Sequence, residues 1–341
     1  GQARRPTRAP ACPRVRGLLP ALGLLMGLAA SSAPAEPVTV TSSSLSRFAL
    51  LTNATNFGPL TWRGGLELTS ANEKFGGLSG LIMTDECTSL RAVSDAGRWF
   101  TASVTYKENA MSGLTTASIV PILDEKGKPP PSKRWGDAEA IAAGPNGKTI
   151  VGFESRTRVG AYDLNRKGMT ARFQNLNPPK DIVRGRRNGE LESVGYFNSG
   201  ALKGYYFAAA ETNLDAQGNT KAWAWNGKRS IAFSIKQLAS YNITDIALLQ
   251  NGDVLVLQRS YSAMTLPGMA MSRFPASAIK QGKTVEPETL LDVRAPFYAI
   301  DNMEGLAVCD RNGELRLNIL SDNNFNTDRQ RTLILQFAYT P

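Results

Sequence analysis

Leu78-Ser79-Gly80-Leu81, Ala138-Glu139-Ala140-Ile141, Leu191-Glu192-Ser193-Val194, Thr244-Asp245-Ile246-Ala247 and Met303-Glu304-Gly305-Leu306 are five returns of one short pattern. In each, a carboxylate or serine stands between small and apolar residues, ahead of a turn and a second apolar segment. With Ser79, Glu139, Glu192, Asp245 and Glu304 as a register column, the intervals are 60, 53, 53 and 59 residues. A near-constant period of that length signals one supersecondary unit repeated.

The segments around the column read as short strands. Leu81-Ile82-Met83 and Leu306-Ala307-Val308 open two of the units. Turns follow at Pro145-Asn146-Gly147-Lys148, Gln250-Asn251-Gly252-Asp253 and Arg311-Asn312-Gly313-Glu314. Asn-Gly supplies the positive φ values of a tight hairpin. Second strands are expected at 149–153, 254–257 and 315–320, and further ones at 158–164, 222–225 and 332–339. Helical periodicity is nearly absent; the two candidates are 231–241 and 275–281. Short strands, hairpin turns and this period predict an all-β chain folded as a β-propeller.

Five blades are countable. The segment 39–70 either closes the last blade with an extra strand or belongs to a degenerate sixth blade. Residues 126–133, with Pro129-Pro130-Pro131, and 175–187, with Pro178-Pro179, read as exposed loops.

Residues 1–35 are set apart as a cleaved export signal, leaving 36–341 as a single propeller domain. They carry Arg4, Arg5, Arg8, Arg14 and Arg16 with no acid, an apolar run over 17–30, and small residues at Ala33-Pro34-Ala35. That run is short of the ~20 apolar residues a bilayer span needs. The expected location is periplasmic or secreted, by Sec or Tat export, with no membrane anchor after cleavage.

The whole chain has 39 Lys+Arg against 29 Asp+Glu, a formal charge of +10. Without the five leading arginines the excess is +5 from Glu36 onward. No basic block forms a nucleic-acid footprint; the modest positive excess suits a small anionic substrate. A small anionic or ester substrate is the expected partner, and a monomer the expected state. Cys87 and Cys309 follow the first and last repeat copies. Those copies are neighbours in a closed ring, so a bridge is geometrically possible; two separate buried thiols are the alternative.

The chain has no histidine. This removes Ser-His-Asp and Cys-His catalysis and zinc sites built on histidine pairs. Chemistry falls to carboxylates, hydroxyls, Lys and Arg, with an oxygen-ligated cation as the natural helper. A second polar column, Asp95, Glu154, Glu211, Arg259 and Asp322, follows the first by 14 to 19 residues. Both columns are expected at one rim of the channel. Carboxylates gathered there need a cation or shared protons.

On this reading calcium is held by Glu139, Glu192, Glu304, Asp322 and Glu211. Glu154 or Asp95 orients or deprotonates water, and Arg156, Arg158 and Arg259 bind an anionic group. The competing reading makes the acids bonds to backbone amides between blades and the arginines solvated surface. Trp99, Trp135, Trp223 and Trp225 are expected as inter-blade packing.

Four blocks together resemble the bacterial phytase-like family, described as having esterase-like activity. They are Gly76-Gly77-Leu78-Ser79-Gly80-Leu81 with Val93-Ser94-Asp95-Ala96-Gly97, and Gly136-Asp137-Ala138-Glu139-Ala140-Ile141 with Phe153-Glu154-Ser155-Arg156. The third is Asn188-Gly189-Glu190-Leu191-Glu192-Ser193 with Ala210-Glu211. The fourth is Asn302-Met303-Glu304-Gly305-Leu306-Ala307 with Leu320-Ser321-Asp322-Asn323-Asn324-Phe325 and Gln330-Arg331-Thr332-Leu333. The resemblance implies a secreted or periplasmic propeller near phosphoester hydrolysis, and leans towards six blades. Two departures stand out: Ser79 replaces an acid, and Asp245 is followed by Arg259 rather than a second acid. The function expected is a metal-assisted hydrolase of phosphoesters or related esters; the alternative is a non-catalytic propeller binding a ligand or protein at the rim.

Overall fold

A computed structural model describes residues 1–2, 35–84, 86–183, 191–262 and 264–341. The expected export signal and Asn188-Gly189-Glu190 therefore lie outside the described residues, apart from positions 1, 2 and 35. The unit Ser32–Pro341 is a five-bladed β-propeller.

Five sheets, blades I to V, antiparallel except where Thr284–Val285 adds a short parallel edge to blade III, start from the innermost strands β1 (Leu78–Thr84), β2 (Ala138–Ala143), β3 (Ser193–Tyr196), β4 (Asn242–Leu248) and β5 (Met303–Arg311). Each innermost strand touches the next, and β5 touches β1, so the ring closes. The segment 39–70 resolves the blade count. Leu60–Thr69 pairs with Thr332–Tyr339, and Thr41–Leu45 pairs with Leu60–Thr69, so both join blade V, and the described residues form five blades. Upstream, Glu36 and Pro37 pair with Ile119 and Ser118 of blade I. The N-terminal segment thus spans the junction where the ring would otherwise open. Cys87 and Cys309 form a disulfide across that junction, between residues 222 positions apart.

Side-chain alternation explains why the strands read as continuous apolar runs. Val254 and Val256 pack in the core between blades III and IV, while Leu255 and Leu257 point into the core between IV and V. Both faces of a blade are covered, so both sets are apolar. Five such cores sit between successive blades.

The turns follow their chemistry with one difference. Asn146-Gly147 and Asn312-Gly313 both take positive φ, as a two-residue hairpin turn requires. At Asn251-Gly252 only Gly252 does; Asn251 instead accepts the Asp253 amide with its side chain at 2.9 Å.

The helix candidates are corrected. In 231–241, Ser230–Ile235 is a strand, because its apolar side chains meet the neighbouring strand Thr220–Trp225. In 275–281 only the 3-10 turn Ala276–Ala278 forms. A helical turn, Lys180–Val183, lies inside the expected 175–187 loop. Among the described residues no helix is long and apolar enough to cross a membrane.

Candidate active site at the acid-lined end of the channel

The innermost strands carry an irregularity at the register column. In β1, β2, β4 and β5 one extra residue enters opposite the second strand: Gly80, Glu139, Thr244 and Glu304 respectively. In blade III the amides of Glu192 and Ser193 both fall opposite Ala209. A bulge bends a strand and re-aims the side chain beside it. Here it recurs where the column meets the rim, and alternate positions of the same strand come with it. Asp137 and Asn302, two residues before Glu139 and Glu304, join the site this way. Sequence reading passed over both, although strand periodicity places i and i−2 on one face.

The second column closes onto the first through backbone bonds. The amides of Asp95, Glu154 and Asp322 donate to the carbonyls of Gly77, Asp137 and Asn302. The carboxylates Asp95, Asp137, Glu139, Glu154, Glu192, Glu211, Glu304 and Asp322 thereby lie within mutual electrostatic reach, with Arg259 and Lys133 as the cations among them.

The two sides of this cluster differ. Towards blades III to V, Arg259 donates to Asn302 Oδ1, Glu304 Oε1 and, at 2.9 Å, Glu211 Oε1. Asn302 adds a bond to Glu304 Oε1 at 2.7 Å, and the Ser79 hydroxyl reaches Glu304 Oε2 at 3.4 Å. The carboxylates around Arg259 hold its guanidinium pKa above the usual arginine value despite burial. Arg259, expected to bind substrate, is thus engaged with protein acceptors.

Towards blade II, carboxylate oxygens of Asp137, Glu139 and Glu154 lie within 4.8 Å of one another. Ser155 donates to Asp137, and Lys133 bonds Asp95 and stands 3.8 Å from Asp137. Asp95 Oδ1 is buried with no hydrogen-bond partner among the described residues. A Cβ on Gly77, which sits at φ +59°, would come within 2.3 Å of that oxygen, so only glycine leaves it room.

Burial first, then neighbouring carboxylates, push Glu139 and Glu192 well above the usual carboxylate range. Glu139 feels Glu192, Glu304 and Asp137; Glu192 feels Glu211 and Glu304. Burial also raises Glu304, against the lowering pull of Arg259, and raises Asp322, with Glu304 adding to it.

Asp245 belongs to the column but not to the cluster. Its two oxygens accept the amides of Ile246 at 2.8 Å and Leu306 at 2.7 Å, tying blade IV to blade V. This is the inter-blade amide role weighed for the acids in general.

The remaining expected binders lie at the rim. Arg156 is exposed, its guanidinium 3.9 Å from the centre of the Trp135 ring. Arg158 lies 3.9 Å from the Phe153 ring centre and donates to the carbonyls of Arg156 and Trp135. Trp99, Trp223 and Trp225 are buried, as packing residues should be, whereas Trp135 is 40 % exposed. It sits on the connection into β2, outside any inter-blade core. Lys133, on the same connection, had no signal in the repeat pattern.

A family profile described as "Phytase-like: Esterase-like activity of phytase" matches residues 73–325. The chain belongs to the Phytase-like family. The match takes in all five copies of the register column and both sides of the acidic cluster. No curated protein matches the sequence.

Among solved structures, this Phytase-like chain is similar to an endo-arabinase from Bacteroides thetaiotaomicron VPI-5482: 10% identity, TM-score 0.46, 79% of this chain and 96% of the other. It is also similar to an alpha-L-arabinofuranosidase from Clostridium thermocellum ATCC 27405: 11% identity, TM-score 0.46, coverage 78% and 90%. A gluconolactonase from Xanthomonas campestris gives 11% identity, TM-score 0.41 and coverage 90% and 98%. Likeness of this degree says nothing about chemistry.

Proposed function

We propose that the protein is an exported, metal-assisted hydrolase of phosphoesters or related esters. The observation that carries this reading is the meeting of Asp137, Glu139 and Glu154 oxygens, to which Lys133 links Asp95. An all-oxygen donor set with surplus negative charge suits a hard divalent cation, calcium first. Asp137, Glu139 and Glu154 are the residues that would hold it. Glu192, Glu304, Glu211 and Asp322 surround that group, with Arg259 already neutralising Glu304 and Glu211. A bound calcium ion supplies charge neutralisation and polarises the ester or phosphoryl oxygen.

The protein's own groups do the rest. Arg156 and Lys133 draw the anionic part of the substrate to the rim. The Asp95 carboxylate accepts a proton from the water whose oxygen bonds to the phosphorus or acyl carbon, while Lys133 on Asp95 fixes the orientation of that carboxylate. The ester bond breaks, and the alkoxide leaves as an alcohol with a proton from solvent. Export is supported by the Cys87–Cys309 bridge, since such bonds persist in oxidising compartments.

Metal analysis of the purified protein, with hydrolysis of an aryl phosphate and an aryl ester measured in calcium and then in chelator, tests the reading. Calcium-dependent turnover of either compound is expected. If there is no turnover and chelator leaves thermal stability unchanged, the hydrolase reading falls and a ligand-binding propeller takes its place.

A further inference from the structure

Nine large apolar side chains are exposed among the described residues, and seven of them stand on hairpins and connections at the acid-lined end. Leu214, Tyr261, Met264, Leu266 and Phe325 stand on the hairpins that carry Glu211, Arg259 and Asp322. Trp135 and Phe297 stand on the connections leading into β2 and β5. The other two, Leu50 and Leu51, adjoin Phe297, whose carbonyl accepts the Leu50 amide at 2.9 Å. Met264 is 95 % exposed at the tip of the longest of these hairpins. The backbone joins this hairpin to the next connection, Ala295 donating to the Pro267 carbonyl at 2.9 Å.

The same segments are basic. Lys126, Lys128, Lys133 and Arg134 are exposed ahead of Trp135, Arg156 lies against its ring, and Arg294 is exposed ahead of Phe297. Arg329 and Arg331 are exposed after Phe325. Against these eight bases, residues 122–137, 154–158, 211–220, 259–268, 294–302 and 322–331 expose two acids, Glu125 and Asp328. The described connections 70–77, 175–183 and 236–241 at this end add Lys74, Lys180 and Lys236 against Glu73 and Asp181. The carboxylates of the channel lie deeper.

We infer that the acid-lined end of the propeller docks on an anionic lipid surface. A protein partner would cover part of this end, whereas a bilayer plane meets loop tips from blades II to V together. Tryptophan and tyrosine interleaved with lysine and arginine is the composition that sits at a lipid headgroup boundary. Each basic side chain near an anionic surface adds attraction that salt screens. Combined with the proposed hydrolysis, docking would present a lipid-borne ester to the channel, but the docking itself stands without it.

The test is cosedimentation of the full chain with vesicles of phosphatidylcholine alone and of phosphatidylcholine mixed equally with phosphatidylglycerol. Chelator is present throughout, so that calcium cannot bridge acids to lipid. Binding to the mixed vesicles only, weakened by high salt, is expected. The double variant M264E/L266E and the double variant R134E/R329E should each lower the partition coefficient by about tenfold or more, with melting temperatures unchanged. Glu139→Gln should bind as the parent protein does, which separates docking from hydrolysis. A parent protein that stays in the supernatant, or that binds neutral vesicles equally, overturns the inference. So does a double variant that binds like the parent, or one that instead loses self-association on gel filtration.

Discussion

Blades II and IV carry the same register column, yet their acids serve different ends. Asp245 of blade IV gives both oxygens to backbone amides, and the partner position holds Arg259, which neutralises Glu211 and Glu304. Glu139 of blade II faces Asp137 and Glu154, and the nearest cation, Lys133, is engaged with Asp95. One half of the ring has internalised its counter-charge; the other has left a surplus. A repeat therefore fixes position, while the residue opposite decides whether an acid is scaffold or reagent.

The comparison breaks most visibly at Arg259. Arg259→Met leaves Glu211 and Glu304 buried without their counter-ion, a loss expected to cost about 3–5 kcal/mol of unfolding free energy in denaturant titrations. Lys133→Met on the opposite side should cost less than about 1 kcal/mol, because that side chain is 65 % exposed. Equal effects would show that the two halves are not electrostatically distinct.

Glu139→Gln sharpens the same contrast by moving activity and stability in opposite directions. It removes a ligand of the proposed ion, so turnover should fall at least by the ~10–100-fold that lost support of a metal site typically costs. It also removes a buried like charge, so the chelated variant should melt at a higher temperature than the chelated parent. A variant that loses activity and stability together would make Glu139 a structural residue.

Asp245→Ala should do the reverse of Glu139→Gln. The amides of Leu306 and Ile246 lose their acceptor, and a buried unsatisfied amide costs about 1–3 kcal/mol. Activity per folded molecule should stay within about twofold, since Asp245 contacts neither the carboxylate cluster nor the rim.

How much of this was legible in the sequence follows from what a repeat can encode. The period and the Asn-Gly turns carried the architecture, because strand and turn preferences are local. The Cys87–Cys309 pairing followed only as one possibility, since it depends on ring closure between distant residues. The blade count stayed open for the same reason: Leu60–Thr69 pairs with a strand more than 260 positions away. Within the site, the two columns were readable as spacings. Asp137 and Asn302 were within reach of strand alternation, but the bulge that turns them to the rim with Glu139 and Glu304 leaves no compositional mark. Lys133 and the exposure of Trp135 depend on a connection outside the repeat. The engagement of Arg259 with three acceptors needs side-chain geometry, which spacing does not carry.

The smallest effect expected is on pH dependence, and its sign separates the surplus half from ordinary surface acids. Glu139, Glu192 and Asp322 have folded-state pKa values raised above the usual carboxylate range by burial and neighbouring charge. Across the interval between unfolded and folded values the native state holds more protons than the unfolded chain, so stability falls as pH rises. Their contribution is complete below the ordinary value of 4.5 for the two glutamates and 3.8 for Asp322, and is lost as pH climbs through the raised values. Asp215, lowered to about 2 by hydrogen bonds from Ser234 and Asn219 despite its desolvation, acts oppositely: its contribution is lost only as pH falls below the ordinary aspartate value. In chelator, melting temperature should therefore decline from mildly acidic towards neutral pH. Saturating calcium should flatten that decline, because a bound cation replaces the protons that the cluster otherwise requires. A melting temperature that rises with pH in chelator would mean that Arg259 and Lys133 already balance the ring, and the difference between blades II and IV would lose its electrostatic basis.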